Sequence, residues 1–364
     1  MEYLHSLLKF AINMSASDIH VKPGHHATIR ISGELFPVQV DPPSAEQVEE
    51  IVRLMLPKHL ESRLDREKEA DFSYIDPALG RFRVNVFYQR GLPAFVMRHV
   101  KTNVPSFKDL NLPEQLGKIA GSERGIILVT GPTGSGKSST LAAMVQHINE
   151  TEKCHIITLE DPIEYMFDDK QSVIEQREVG LDTLSFERAL VHVMRQDPDV
   201  IVIGEMRDSQ SFMAALAAAD TGHLVLATLH TTTAYSAIGR TLDFFPAHER
   251  DQIRRQMAST LRAVICQRLV PATSGSVVPA VEIMLNTGTV RKFIEENRLD
   301  KLFAAVETGS DEGMQTFNQA LFKLVKAKLI TEEEALLKAT NPEALKMNFR
   351  GIFLDESRRI LANS

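Results

Sequence analysis

Residues 125–138 read GIILVTGPTGSGKS. The first six are apolar and rich in branched side chains, the pattern of a strand buried on both faces. The next eight satisfy G-x-x-x-x-G-K-[ST], with Gly131, Gly136, Lys137 and Ser138 at the fixed positions. The continuation, SSTLAAMVQHI (138–148), has helical periodicity. Strand, glycine-rich loop and helix in that order form the setting in which this pattern binds phosphate. Glycines permit a tight loop whose N–H groups converge on a β-phosphate, and the helix adds its positive end. The expected nucleotide-binding set is therefore Gly131, Pro132, Thr133, Gly134, Ser135, Gly136, Lys137, Ser138 and Ser139. Within it, Lys137 reaches the β- and γ-phosphates of ATP and Ser138 ligates Mg²⁺.

Three further apolar runs follow: HIITLED (155–161), DVIVIGE (199–205) and HLVLATLH (223–230). Helical patterns separate them, which predicts a parallel sheet covered on both faces. The runs end in groups that can do chemistry. Glu205 closes the second, where an acid can hold Mg²⁺ or its waters; Asp199 begins that run and falls at the wrong end. Glu160, Asp161 and Glu164 cluster after the first, and one of them can activate the attacking water. His223 and His230 bracket the third, one end suited to sensing the γ-phosphate and the other to facing a neighbouring domain.

Residues 1–100 read as a separate α+β unit. YLHSLLKFAINM is helical, while SDIHVKPG, ATIRISGELFPV, GRFRVNVFYQRG and PAFVMRHV read as strands. Arg81 and Arg83 share one strand face, and Arg98 lies on the next strand. Such donors suit phosphoryl charge, sometimes in another subunit. The competing readings are a solvated basic face, or a nucleic-acid surface with Phe87 and Tyr88 as stacking groups. Residues 101–116, with two prolines, predict an interdomain linker; 117–288 form the ATPase core and 289–364 a helical C-terminal region. Thr331 followed by Glu334 fits a helix-capping box.

Composition sets limits. The 364 residues suffice for two or three domains, and 43% hydrophobic with 24% charged residues is ordinary for a globular protein. A net charge of −7 argues against a nucleic-acid partner. Cys154 and Cys266 form no CxxC pair, so they read as reduced structural thiols. The opening MEYLHSLLKF lacks the features of a signal peptide, and no apolar run is long enough to span a bilayer. A cytoplasmic location is expected.

The ordered boxes GPTGSGKS, ITLEDPIEY, VIVIGEMRD and TGHLVLATLHTTTA resemble the secretion-ATPase superfamily of bacterial motors. SDIHV and EGMQTFNQAL narrow the resemblance to the type IV pilus retraction ATPases, the PilT/PilU group. That resemblance implies a PAS-like N-terminal domain, a RecA-like P-loop ATPase domain and a helical C-terminal region. It implies a homohexameric ring under an inner-membrane platform protein, peripheral to the membrane and hydrolysing ATP to retract the pilus. It assigns Lys137 and Ser138 to phosphate and Mg²⁺, Glu205 to the second-box acid, Glu164 to the water-activating base, and His223 and His230 to the histidine box. Arg81, Arg83 and Arg98 become candidates for reaching a nucleotide. Assembly ATPases of the superfamily carry a tetracysteine zinc site, which two cysteines cannot supply. One stretch departs from the pattern. Where retraction motors carry AIRNLIRE, residues 289–296 read TVRKFIEE, keeping Arg291 and Ile294 but placing an acid where a base is expected. This suggests a PilU-like paralogue acting with a partner retraction ATPase. The final MNFRGIFLDESRRILANS matches no assigned feature.

Overall fold

The fold was determined as a computed structural model, which describes residues 2–31, 33–100 and 103–352. Its contacts divide the chain into two compact units. The first comprises Met1–Asn103 with Pro162–Met166 and Gly180–Asp182; the second is the remainder.

In the first unit, helix α1 (Glu2–Asn13) precedes strands β1 (Asp18–Val21), β2 (Thr28–Ile31) and β3 (Glu34–Pro37). Helices α2 (Ala45–Met55) and α3 (Glu61–Glu67) then lead to β4 (Glu69–Asp76), β5 (Gly80–Gln89) and β6 (Leu92–His99). The six strands form one sheet in the order β3-β2-β1-β6-β5-β4, every neighbouring pair antiparallel. Leu4, Leu7, Leu8 and Ala11 recur at helical spacing and are buried. Val48, Ile51, Val52 and Met55 do the same on α2, whose Ser44 and Gln47 make a full capping box. Both stripes join Ile19, Val84, Val86, Phe95 and Met97 of the sheet in one core. Burial at such positions contributes about 1.5–3 kcal/mol per large apolar side chain.

The second unit begins at Val104, within the stretch expected to be an interdomain linker. Leu112 and Leu116 are buried, and α4 (Gln115–Ala120) starts inside the 101–116 stretch. The order then runs β7 (Gly125–Thr130), α5 (Lys137–Thr151), β8 (His155–Glu160), β9 (Val173–Glu178), α6 (Phe186–Val193), β10 (Val200–Ile203), α7 (Ser209–Asp220) and β11 (Leu224–Leu229). It continues with α8 (Ala234–Leu242), α9 (Arg250–Thr260), β12 (Leu261–Pro271) and β13 (Val277–Leu285). Helices α10 (Gly288–Glu295), α11 (Leu302–Thr308), α12 (Phe317–Lys326), α13 (Glu332–Lys338) and α14 (Pro342–Phe349) follow.

The seven-stranded sheet has the order β13-β12-β7-β11-β10-β8-β9. Five pairings are parallel; the edge strand β13 is antiparallel to β12. Alternation along β7 explains why both faces are covered. Ile126 and Leu128 enter the core shared with α7, α8 and α9, whereas Ile127 and Val129 enter the core shared with α4 and α5. The fold class is thus the expected one: an α+β unit, then a P-loop α/β core with appended helices. Thr331 caps α13 by accepting from the Glu334 N–H. Residues 353–364, most of the unassigned tail, lie outside the described residues.

Candidate nucleotide site

In a parallel sheet the carboxyl ends of neighbouring strands open onto one edge, where ligands bind. Here the loop after β7, Glu205 after β10 and His230 after β11 all lie at that edge.

The loop is shaped by two glycines that nothing else can replace. Gly131 has φ +149°, and a Cβ there would sit 2.4 Å from Ser135 Oγ and 2.6 Å from the Gln267 carbonyl oxygen. Gly136, at φ +87°, caps α5, and its Cβ would meet Gln267 Nε2 at 2.8 Å. Lys137 is buried, its Nζ donating to the carbonyls of Gly131 (2.9 Å) and Pro132 (3.0 Å). The ammonium is therefore poised beneath the loop. Ser135 Oγ is buried and has no hydrogen-bond partner among the described residues. A buried hydroxyl in a glycine cradle beside a buried lysine fits an anionic ligand with spare acceptor oxygens. Pro132, Thr133 and Gly134 are exposed, and Ser138 and Ser139 are half-buried on the first turn of α5.

Gln267 is a site residue the sequence reading did not single out. It lies on β12, 2% exposed, and its Oε1 accepts from Thr140 Oγ1 at 2.6 Å. It braces the first turn of α5 and crowds both glycines. Its neighbour Arg268 donates to the carbonyls of Lys338 (2.7 Å) and Thr232 (3.1 Å) and lies 3.8 Å over the Phe317 ring. Residues 132–135 of the loop, with Thr232, Arg268, Leu269 and Lys338, line a cleft of about 370 Å³.

Glu205 accepts from Arg207 Nη2 at 2.7 Å and lies 3.0 Å from His230 Nε2. Burial pushes its carboxyl up, but Arg207 and His230 outweigh that and hold it below the usual range. Arg207 is held more strongly protonated by Glu205, with Asp161 adding to the effect. The close approach of β10 to β8 depends on Gly204, whose Cβ would stand 3.2 Å from the Leu159 carbonyl. Thr228 Oγ1 ties the Gly204 carbonyl to β11 at 2.5 Å. Glu160 is engaged by Thr158 (2.7 Å) and Gln176 (3.2 Å).

Other expected site residues fall elsewhere. His223 precedes β11 at the amino edge of the sheet, where its backbone carbonyl accepts from Gly125 N and its ring bonds the Ala218 carbonyl at 2.9 Å. A strand's length separates it from the loop, so it is not a catalytic group for the phosphates bound by its own chain. Asp199 lies at that same edge, accepting from His155 N. Glu164 is exposed and groups with the first unit.

Arg81, Arg83 and Arg98 lie on the first unit's sheet. Arg98 binds Asp18 Oδ1 at 2.6 Å, and Arg30 approaches the other Asp18 oxygen at 3.9 Å. Arg83 pairs in register with Arg98 and is exposed. Arg81 is buried, with Nε donating to Ser73 Oγ at 3.2 Å. The two strand-mates therefore share a face but not an environment, because Arg81 is enclosed where Arg83 is open. Tyr88 packs against the first unit's core, with Lys68 Nζ 5.2 Å from its ring centroid. Cys266 is fully buried and its thiol is pushed up to about 12 by burial; Cys154 bonds Ser172.

The stretch 289–296 lies mostly in α10. Val290 and Ile294 are its buried anchors, and Arg254 of α9 caps its end by donating to the Ile294 and Glu295 carbonyls. The departing acid, Glu295, is exposed at the end of α10, and its neighbour Glu296 forms surface ion pairs with Arg298 (3.5 Å) and Lys292 (3.9 Å).

Comparison with known proteins supplies the context. The family described as "Type II/IV secretion system protein" matches residues 1–351. The chain is 40% identical over 337 residues to the type IV pilus retraction ATPase PilT of Pseudomonas aeruginosa, covering 93% of this chain and 98% of that protein. It is 39% identical over 348 residues to the type IV pilus ATPase PilU of the same organism, covering 95% and 91%. A crystal structure of the pilus retraction motor PilT with bound ADP superimposes with a TM-score of 0.87 at 41% identity, over 93% of this chain and 97% of that one.

Proposed function

The chain belongs to the type II/IV secretion system protein family, and on that premise we propose that it is an ATP-hydrolysing motor driving type IV pilus retraction. The observation that carries this reading is the convergence of the braced phosphate loop, Glu205 and His230 at one sheet edge. It stands in a chain that aligns almost end to end with an ADP-bound retraction motor.

In this reading Gly131–Ser139 hold the phosphates of ATP and Lys137 releases its two carbonyl partners to bind them. Ser138 and Glu205 would hold Mg²⁺, which would supply neutralisation of phosphate charge. His230, bonded to Glu205, orients that carboxylate and feels the γ-phosphate through it. Glu164 is the candidate base for the attacking water, and Arg83 and Arg98 are candidate donors to a nucleotide on another copy of the chain. The working form is a homohexamer on the cytoplasmic side, seated on an inner-membrane platform protein. Among the described residues, no helix is long and apolar enough to cross a membrane.

A second reading has its own support. The acid in 289–296 and the similarity to PilU favour an accessory motor that works with a partner retraction ATPase. Steady-state hydrolysis by the purified protein and by Lys137→Ala tests the main reading. Turnover that disappears in the variant supports it. Turnover that persists in Lys137→Ala contradicts it, and turnover seen only when a paralogous retraction ATPase is added selects the accessory role.

A further inference from the structure

We infer that Lys338, at the last turn of α13, is a phosphate-binding residue of the nucleotide site. The inference rests on the ATP reading above and extends the site to the C-terminal helices. Three observations carry it.

Lys338 lines the same cleft as loop residues 132–135. A ligand in that cleft therefore meets the loop and the end of α13 together.

The cleft contains two cationic residues and no carboxylate. Arg268 is committed: its two terminal nitrogens bond the carbonyls of Lys338 and Thr232, and its Cζ lies 3.8 Å over the Phe317 ring. Lys338 is exposed, and among the described residues its ammonium has no ion-pair partner. The acids of its own helix, Glu332, Glu333 and Glu334, lie in the first turn, at the other end. Charge without a counter-charge beside a phosphate loop fits a polyanion.

The position of Lys338 is fixed by its backbone rather than its side chain. Arg268 grips the Lys338 carbonyl from β12, one residue beyond Gln267, which braces α5. The same strand thus locks the phosphate loop and the end of α13 in register. The side chain is left to bind, as a tethered lysine does with phosphate.

Calorimetric titration of the full-length protein with ATP, ADP and AMP tests this, using Lys338→Ala and Lys338→Arg. Lys338→Ala is expected to raise the Kd for ATP about three- to tenfold, with a smaller rise for ADP and none for AMP. Lys338→Arg is expected to stay within about twofold of wild type, and 0.5 M salt to shrink the wild-type advantage. The melting temperature of Lys338→Ala should match wild type, since the Arg268 bond uses the backbone. An unchanged Kd for ATP overturns the inference. So does an equal loss for AMP and ATP, which marks a contact to base or ribose or a structural effect. Failure of the wild-type protein to bind ATP removes the broader reading as well, and loss in Lys137→Ala with none in Lys338→Ala removes this inference alone.

Discussion

His230 Nε2 lies 3.0 Å from Glu205 Oε1, joining the ends of β10 and β11 beside the phosphate loop. Arg207 holds the other carboxylate oxygen at 2.7 Å. Glu205→Gln keeps the shape but removes the charge proposed to bind Mg²⁺. Hydrolysis should fall at least about 100-fold, while the Kd for ATP changes much less. Turnover assays paired with nucleotide titration check this. A large rise in Kd with little change in turnover would instead make Glu205 a binding group.

Gln267 makes a prediction because it is both buried and bonded. In Gln267→Leu the Thr140 hydroxyl loses its 2.6 Å acceptor inside the protein. An orphaned buried donor costs about 1–3 kcal/mol, so the melting temperature should drop. Loosening beside Gly136 should also weaken ATP about tenfold, corresponding to about 1.4 kcal/mol. Thermal melts and titrations on the one variant separate the two effects.

Asp18 gives a pH signature. Burial alone would push its carboxyl up, but hydrogen bonds from Ser17 and Arg98 outweigh it and hold the group below the usual range. A depressed folded value means the stabilisation is present above the unfolded value and is lost as pH falls through the folded one. Asp18→Asn should therefore cost about 1–2 kcal/mol near neutrality. The gap from wild type should close as the pH falls below the ordinary aspartate range. Denaturant melts between neutral and acid pH check it; a gap that stays constant with pH would exclude the charge as its source.

Glu282 has the opposite sign. It is 1% exposed on β13, accepts from Ala234 N at 2.7 Å, and is raised by burial. A carboxyl raised in the fold stabilises fully below its unfolded value and loses that contribution as pH rises through the folded one. Glu282→Gln retains the acceptor without the charge. Its stability relative to wild type should therefore improve from acid pH toward pH 8. Glu282→Ala should be destabilised by about 1–3 kcal/mol, because the Ala234 N–H is orphaned.

The residues that were legible in the sequence were those whose chemistry is local. GPTGSGKS announced its loop because two glycines, a lysine and a serine must sit at fixed offsets. The runs at 125–130, 155–160, 200–203 and 224–229 announced a parallel sheet because burial on both faces leaves an unbroken apolar signature. The β12–β13 hairpin was not read. Its strands carry Gln267, Arg268 and Glu282 among apolar residues, and these polar groups have meaning only against partners far along the chain. From the sequence, the two ends of 224–229 have different roles with no sign of which is which; the parallel pairing of β11 with β7 puts His230 at the phosphate-loop end and His223 at the other. Arg81 likewise shares a face with Arg83 by spacing, while its burial depends on strands the spacing does not show.

The central claim is that this chain turns ATP hydrolysis into pilus retraction. It is tested most directly by counting surface pili after deletion of the gene, with complementation by wild type and by Glu164→Gln. The account predicts excess pili in the deletion strain, restored to normal number by wild type and not by the variant. Loss of pili on deletion would contradict it and place the protein in assembly instead.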